Sequence, residues 1–140
     1  MNILFVCRGN IGRSVMAEYL FNTLTEGKYA VQSAGTKLSG PEQPLRELSL
    51  AESVILCMKE EGLDVSEHKR TQLRPEMVEH ADKIIVMAEP ETIPRYLSQS
   101  NKMTYWNVPD VGVSPTLEGD RNIRDQIKSL VQDLVKMNSL

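Results

Sequence analysis

The sequence predicts an α/β fold: a single three-layer domain over residues 1–140, with helices on both faces of a parallel sheet. Apolar runs of strand length alternate with segments of helical periodicity, as is typical of parallel strands joined by crossover helices. No repeat, linker or low-complexity tract interrupts this alternation, and 140 residues suit one domain. An apolar fraction of 41% and a charged fraction of 25% are ordinary for a globular protein.

The first half of the chain predicts two strands and two helices. Strand one is expected at about 2–7, helix one at about 13–25, strand two at about 29–33 and helix two at about 45–61. Both helices carry apolar residues at helical spacing, and Gly62 is expected to end the second one. The apolar stripe of helix two consists of Leu48, Ala51, Ile55 and Met58.

The second half predicts two further strands and three helices. A short helix at about 75–80 precedes strand three at about 83–87, and helix four follows at about 90–98. Strand four is expected at about 103–108 and the last helix at about 118–137. The long apolar stripe of that helix is interpreted as core packing. The expected sheet therefore has four strands.

Charge and cysteine content exclude several classes of protein. The net charge of −3 offers no basic surface for nucleic acid or an anionic membrane. No segment is long and apolar enough to span a bilayer, and the first residues resemble a strand rather than a leader peptide. With two cysteines there is no disulfide framework, so we expect a cytoplasmic protein. Its oligomeric state stays open.

Metal and cofactor sites are not expected. Cys7, Cys57, His68 and His80 are the chain's only cysteines and histidines, and their positions do not make a plausible zinc site. Cys57 falls inside helix two, which favours a structural thiol. No motif calls for a cofactor.

The most informative segment lies between strand one and helix one. It reads Cys7-Arg8-Gly9-Asn10-Ile11-Gly12-Arg13-Ser14, and we call these residues the cysteine loop. A loop that joins a strand to a helix N-terminus directs backbone N–H groups and positive charge at one point, which favours a phosphate. Gly9 and Gly12 permit tight turns, and Asn10 tolerates left-handed geometry. The segment is therefore predicted to be a phosphate loop.

The side chains of this loop suggest phosphoryl transfer. Cys7 would be held as a thiolate nucleophile by the positive field of the loop. Arg13 can donate two parallel N–H bonds to phosphate oxygens, and Ser14 can donate a hydrogen bond to the sulfur. A buried, inert cysteine is the alternative, which the strand–loop–helix context makes less favoured.

A second catalytic element is expected at the same edge of the sheet. Sites in open parallel sheets form beyond the carboxyl ends of strands, where Cys7 ends strand one and Ser33 ends strand two. Asp110 follows strand four, and Pro109 stiffens its loop. Cleavage of a phosphate ester needs a general acid and then a base, and Asp110 is the candidate. A solvated turn aspartate is the alternative.

Taken together, these motifs resemble the low-molecular-weight protein tyrosine phosphatases, a family that shares its fold with thioredoxin-linked arsenate reductases. The resemblance extends over nearly all of the chain. It rests on residues 6–14, 33–36, 62–73 and 81–87 and on the pair Pro109-Asp110.

The resemblance implies a four-stranded parallel sheet with flanking helices and assigns a role to each site residue. Cys7 would be the nucleophile, Arg13 the phosphate clamp and Asp110 the acid and then the base. The phosphate-binding residues would be Arg8, Gly9, Asn10, Ile11, Gly12 and Ser14, with Ser14 stabilising the thiolate. Asn10 would hold the loop in its left-handed shape through a network that includes Ser33 and His68.

The sequence departs from the family pattern at three places. Gly12 stands where many members have a second cysteine that protects the nucleophile. Val111 stands where proline usually follows the acid. Neither the segment after Asp110 nor the one after Thr36 has the aromatic residues that usually stack a phosphotyrosine ring. Ile11, however, is the residue type of tyrosine-directed members, whereas members specialised for phosphoarginine tend to have threonine there.

The favoured function is a cysteine-dependent phosphomonoesterase that acts through a phosphocysteine intermediate on a phosphorylated protein or a small aryl phosphate. No metal or other cofactor is needed, because the loop supplies the electrostatics. Arsenate reduction is less favoured, since its disulfide relay needs two further cysteines and only Cys57 remains. A non-catalytic phosphate-binding or interaction protein on the same scaffold is the other alternative.

Overall fold

The computed structural model describes residues 1–111 and 115–137. Its sheet consists of four parallel strands in the order β2-β1-β3-β4. The strands are β1 (Asn2–Cys7), β2 (Ala30–Gly35), β3 (Lys83–Val86) and β4 (Met103–Tyr105). The α/β class and the four-stranded parallel sheet expected from the sequence are confirmed.

Five α-helices connect and follow the strands in the described part of the chain. They are α1 (Arg13–Leu24), α2 (Glu52–Lys59), α3 (Pro75–His80), α4 (Arg95–Ser98) and α5 (Leu117–Met137). None of the helices within residues 1–111 and 115–137 is long and apolar enough to cross a membrane.

The prediction of one helix over 45–61 is wrong in its first half. That half forms two short 3-10 turns, and Leu48 between them is extended, with φ −113° and ψ 120°. The backbone N–H groups of Leu45 and Arg46 donate instead to the carbonyls of His68 and Ser66. These tertiary hydrogen bonds override the helical pattern, which survives only in α2.

The prediction of one helix over 90–98 is also wrong. A 3-10 turn at 90–92 is separated from α4 by Ile93 in an extended conformation. Pro94 disfavours helical geometry at the residue before it and supplies no N–H donor, so the two segments cannot join.

Strand ends differ from the expected ones by a few residues. β2 extends to Gly35, because Ala34 and Gly35 pair with Val6 and Cys7 of β1. Ser33 therefore lies inside β2 rather than at its end. Strand four stops at Tyr105, well before the expected residue 108.

Alternate residues of β1 supply the two halves of the core. Ile3, Phe5 and Cys7 face a cluster that also contains the buried residues of α1, α2 and α5. Leu4 and Val6 face a cluster built with β3, α3 and α4. Both faces of β1 are thus buried, as in parallel sheets covered by helices on each side.

The strand order places the carboxyl end of β1 at a topological switch point. The connection after β1 leads to β2 on one side, and the next connection leads to β3 on the other. Connections on opposite faces leave a crevice between them at this edge of an open α/β sheet. The cysteine loop begins there, directly after β1.

Gly35 allows β2 to pass close beneath the cysteine loop. A Cβ atom at this position would lie 2.6 Å from the Arg8 carbonyl oxygen and 3.0 Å from the Asn10 nitrogen, both backbone atoms that cannot move aside cheaply. The loop can therefore keep its shape only because Gly35, in the neighbouring strand, has no side chain.

Gly35→Ala should lower the free energy of unfolding by about 1–3 kcal/mol, because overpacking against backbone forces a shift. Gly9→Ala is the matched control, since the nearest atoms to its Cβ would be 3.8 Å away. Urea unfolding of both variants gives the comparison. Equal stability of Gly35→Ala and the unchanged protein would contradict this view of the contact.

Candidate active site

The cysteine loop lines a pocket at the carboxyl edge of the sheet. Cys7, Gly9, Ile11, Gly12 and Arg13 form its base. The walls contain two carboxylates, Asp110 and Asp120, and otherwise the apolar residues Leu50, Val54, Val111, Pro115 and Ile123. The pocket therefore combines a polar base with largely aliphatic walls.

Cys7 is 2% exposed, and its sulfur lies 3.0 Å from Ser14 Oγ. The neighbouring hydrogen bond from Asn10 allows Ser14 to be the donor to the sulfur. Asn10 Nδ2 donates to Ser14 Oγ at 2.8 Å, which leaves the serine's own proton for the sulfur. Ser14 can therefore donate a hydrogen bond to the Cys7 sulfur.

Asn10 holds the loop in place from inside. It is fully buried, and its φ of 52° lies in the left-handed region, as its residue type suggested. Its Nδ2 also donates to Ser33 Oγ at 3.0 Å. Its Oδ1 accepts the Thr71 N–H at 2.9 Å and lies 3.1 Å from His68 Nε2. All four hydrogen-bonding positions of the amide are thus occupied.

His68 and Glu18 complete this network. Because Asn10 Oδ1 can only accept, the hydrogen bond requires the proton of His68 on Nε2. Burial lowers the pKa of His68 to about 4, so the ring is neutral at pH 7. Ser33 Oγ donates to Glu18 Oε1 at 2.6 Å, and burial raises the pKa of Glu18. Glu18 was not predicted to belong to the site, because no motif in the sequence marks it.

Arg13 is fixed by carbonyls and by a carboxylate. Its Nη1 donates to the carbonyl oxygens of Met87 and Val108, at 2.5 and 3.0 Å. Its Nη2 donates to the two carboxylate oxygens of Glu89 at 2.8 and 3.2 Å. Burial opposes its charge, but Cys7, Glu89 and Asp110 together raise the pKa of Arg13 above its ordinary value. Glu89 is a site residue that sequence reasoning missed.

Asp110 shares the pocket with Cys7 and Arg13, as the sequence predicted. Its Oδ2 lies 3.8 Å from Arg13 Nη2, and its Oδ1 accepts the Val111 N–H at 2.8 Å. The side chain is 51% exposed. A carboxyl group in this position is free to reach a bound molecule.

Asp120 is a second carboxylate that sequence reasoning missed. It lies in the first turn of α5, is 2% exposed and accepts a hydrogen bond of 2.5 Å from Ser53 Oγ. Burial raises the pKa of Asp120. Its position three residues before Ile123, on the apolar stripe of α5, was the signal that could have identified a buried aspartate.

The remaining predicted residues divide into two groups. Ser33 and His68 both contact Asn10, whereas the Arg8 side chain is exposed and is not among the residues that line the pocket. The Arg8 carbonyl accepts the Lys37 N–H at 2.9 Å. Arg8 therefore shapes the loop through its backbone.

Cys57 is a buried structural thiol, as the sequence suggested. Its Sγ donates to the Val54 carbonyl at 3.4 Å, and burial raises its pKa to about 12. Among residues 1–111 and 115–137, no cluster of His, Cys, Asp and Glu side chains could hold a metal ion.

Replacement of His68 should change the pH dependence of stability. Between pH 6.5 and about 4 the unfolded chain binds a proton at His68 that the folded protein excludes, so stability falls as the pH falls through this window. The loss should reach about 2 kcal/mol at about pH 5. His68→Gln should remove this contribution, measured by urea unfolding at about pH 7.5 and pH 5.

Glu18 and Asp120 oppose the effect of His68, because their raised pKa values make the folded protein bind protons more readily as the pH falls. The pH dependence of stability is therefore compared between variants, rather than with a stability that does not change with pH. His80→Gln, at an exposed position in the last turn of α3, is the matched control. A pH dependence that His68→Gln leaves unchanged would contradict a buried, neutral His68.

Comparison with known sequences agrees with this site. The family described as "Low molecular weight phosphotyrosine protein phosphatase" matches residues 2–138. The chain is 33% identical to the low molecular weight protein-tyrosine-phosphatase Ptp of Acinetobacter johnsonii, over 96% of this chain and 92% of that protein. It is also 27% identical to an arsenate reductase of Staphylococcus epidermidis, over 93% of this chain and 92% of the relative.

Solved structures give the same result. The low molecular weight protein tyrosine phosphatase from T. tengcongensis is 29% identical, with a TM-score of 0.80 over 98% of this chain and 99% of that one. An arginine phosphatase from Geobacillus stearothermophilus is 25% identical, with a TM-score of 0.78 over 99% and 92% of the two chains. The family match over nearly the whole sequence shows that the chain belongs to the low molecular weight phosphotyrosine protein phosphatases.

Proposed function

We propose that the protein hydrolyses phosphate monoesters through a phosphocysteine formed on Cys7. The observation that carries this proposal is the hydrogen-bond chain from Asn10 through Ser14 to the Cys7 sulfur, at 2.8 and 3.0 Å, at the base of an open pocket. These hydrogen bonds allow Ser14 Oγ–H to donate to the sulfur, as a thiolate nucleophile at Cys7 would require. The loop is the phosphate-binding element in this proposal.

The reaction takes place in two steps. The Cys7 sulfur attacks phosphorus, the bond between phosphorus and the ester oxygen breaks, and Asp110 gives its proton to the departing oxygen. Water then attacks the phosphocysteine while Asp110 takes up a proton from it. The phosphorus–sulfur bond breaks, phosphate leaves, and the thiolate and the protonated Asp110 are restored.

Arg13 supplies the fixed positive charge of this reaction. Its guanidinium can clamp the equatorial phosphate oxygens, where charge accumulates in the transition state. Glu89 holds Nη2 at 2.8 Å, so the arginine is oriented before substrate arrives. Val111 has an N–H that proline lacks, and Asp110 Oδ1 accepts a hydrogen bond from it, while the half-exposed carboxylate keeps Oδ2 3.8 Å from Arg13 Nη2.

We propose phosphotyrosine in a protein, or a small aryl phosphate, as the substrate class. The aliphatic side chains of Ile11, Leu50 and Val111 line the pocket and can pack against an aromatic ring. Relatives with more than 30% identity include a protein-tyrosine-phosphatase. The similarity to an arginine phosphatase makes phosphoarginine the second candidate to test.

Arsenate reduction is disfavoured by the cysteines. A relay needs two thiols beyond the nucleophile, and the chain has only Cys57. That thiol is fully buried in α2 and hydrogen-bonded to its own helix.

We also propose that the protein is cytoplasmic and consists of a single domain of residues 1–140. Its two free, buried cysteines suit a reducing compartment.

Cys7→Ser should reduce hydrolysis of p-nitrophenyl phosphate to background while vanadate still binds. In the unchanged protein, iodoacetate should alkylate Cys7 and leave Cys57 unmodified, because burial raises the Cys57 pKa to about 12. Inorganic phosphate should block the alkylation. Hydrolysis by Cys7→Ser at near-normal rates would exclude a phosphocysteine on Cys7, whereas absence of hydrolysis in the unchanged protein would favour a non-catalytic phosphate-binding role.

Asp110→Asn should affect poor leaving groups most. A general acid typically contributes about 10²–10⁴-fold, and alkyl phosphates need it more than nitrophenyl phosphate does. The ratio of kcat/KM for the two substrates measures this difference. Asp125→Asn, at an exposed position on α5, is the matched control. Equal losses of kcat/KM for both substrates would show that another residue is the general acid.

A further inference from the structure

Arg70 is a buried cation without a carboxylate partner. Its side chain is among the largest fully buried ones in the protein, with 1% of the residue exposed. The other two buried arginines in the described part of the chain, Arg13 and Arg124, each pair with a glutamate at 2.8 and 2.7 Å. Within residues 1–111 and 115–137, no carboxylate lies within ion-pair distance of Arg70. A buried charge without a counter-ion is costly.

The guanidinium lies directly against the cysteine loop. Nε donates to the Gly9 carbonyl at 3.1 Å, and Nη1 donates to the Ser39 carbonyl at 3.0 Å. Arg70 thereby ties the loop to the segment that follows β2. Because a peptide group is planar and trans, fixing the Gly9 carbonyl also fixes the opposite direction of the Asn10 N–H.

The third nitrogen, Nη2, has no acceptor among the described residues. It would lie 3.8 Å from a Cβ atom on Gly9, so it is next to the loop backbone. Every fully buried side-chain nitrogen and oxygen of residues 1–111 and 115–137 has a partner, so Nη2 retains slight solvent exposure although the residue as a whole is 1% exposed. Burial lowers the pKa of Arg70, and Cys7 opposes that effect.

We propose that Arg70 is a second guanidinium of the phosphate site. It acts as a positioning residue: it orients the Gly9–Asn10 peptide and supplies positive charge beneath the loop, for which the thiolate and the bound phosphate are the counter-ions. This proposal rests on the proposed function, since it assumes that the loop binds an anion. In this proposal Arg70 contributes positive charge to the site in addition to holding the loop by hydrogen bonds.

The first test compares an anionic and a neutral reagent at Cys7. Arg70→Met keeps a long side chain and removes the charge, and it should lower the rate of alkylation by iodoacetate about tenfold more than the rate by iodoacetamide. It should also weaken protection by inorganic phosphate. Arg70→Lys should restore part of the preference for iodoacetate, because it keeps the charge, although it loses the hydrogen bonds to the Gly9 and Ser39 carbonyls.

Arg74→Met is the matched control, because Arg74 is four residues further on, 48% exposed and paired with Glu42. It should leave both alkylation rates unchanged. Alkylation requires no turnover, so a failure of the proposed hydrolysis would not affect this result. Equal losses for both reagents in Arg70→Met would show that Arg70 is only a structural tie and would overturn the proposal.

A second measurement uses the unchanged protein and does not depend on whether the variants fold. The Nε–H of Arg70 is buried, so its NMR signal should be resolved and slow to exchange. Addition of inorganic phosphate should shift this signal, while the Nε–H signal of exposed Arg74 stays in place. An Arg70 signal that phosphate leaves unchanged, when amide signals of the loop do shift, would also overturn the proposal.

Discussion

The site depends on the hydrogen bonds that the Asn10 side chain makes. A residue with positive φ in the middle of a loop is strained unless its surroundings hold it there. Here the amide is fully buried and uses every donor and acceptor it has, toward Ser14, Ser33, His68 and Thr71. The loop is thereby anchored to β2 and to the 68–71 segment before any ligand binds. Such preorganisation avoids the cost of arranging the donors during the reaction.

This anchoring constrains the residues that surround the loop. Gly35 must lack a side chain for β2 to approach, and His68 must carry a proton on Nε2 to donate to Asn10 Oδ1. Arg13 and Arg70 then bring two guanidinium groups to a protein whose net charge is −3. Attraction for an anion is therefore local, and Glu89 and Asp110 balance only Arg13. Arg13 and Arg70 thus place positive charge next to the loop that begins at Cys7.

The sequence predicted the parts of the fold and site that depend on local patterns. Strand, loop and helix around Cys7 follow from an apolar run, two glycines and a helical period. The prediction of helix two was wrong in its first half because Leu45 and Arg46 bond to a segment twenty or more residues away, which no local pattern reveals. Glu89 and Arg70 were missed for the same reason: their roles arise from contacts across 76 and 61 residues of chain. Pro94, by contrast, was a local signal for the break before α4.

The most direct test of the account is chemical detection of the intermediate. Asp110→Asn should slow release of phosphate from the enzyme, and rapid acid quenching during turnover of p-nitrophenyl phosphate should then trap the covalent species. Mass spectrometry of the digested protein is expected to find one phosphoryl group, on the peptide that contains Cys7. Turnover without any phosphoryl group on that peptide, or with the group on another side chain, would contradict the central role of Cys7.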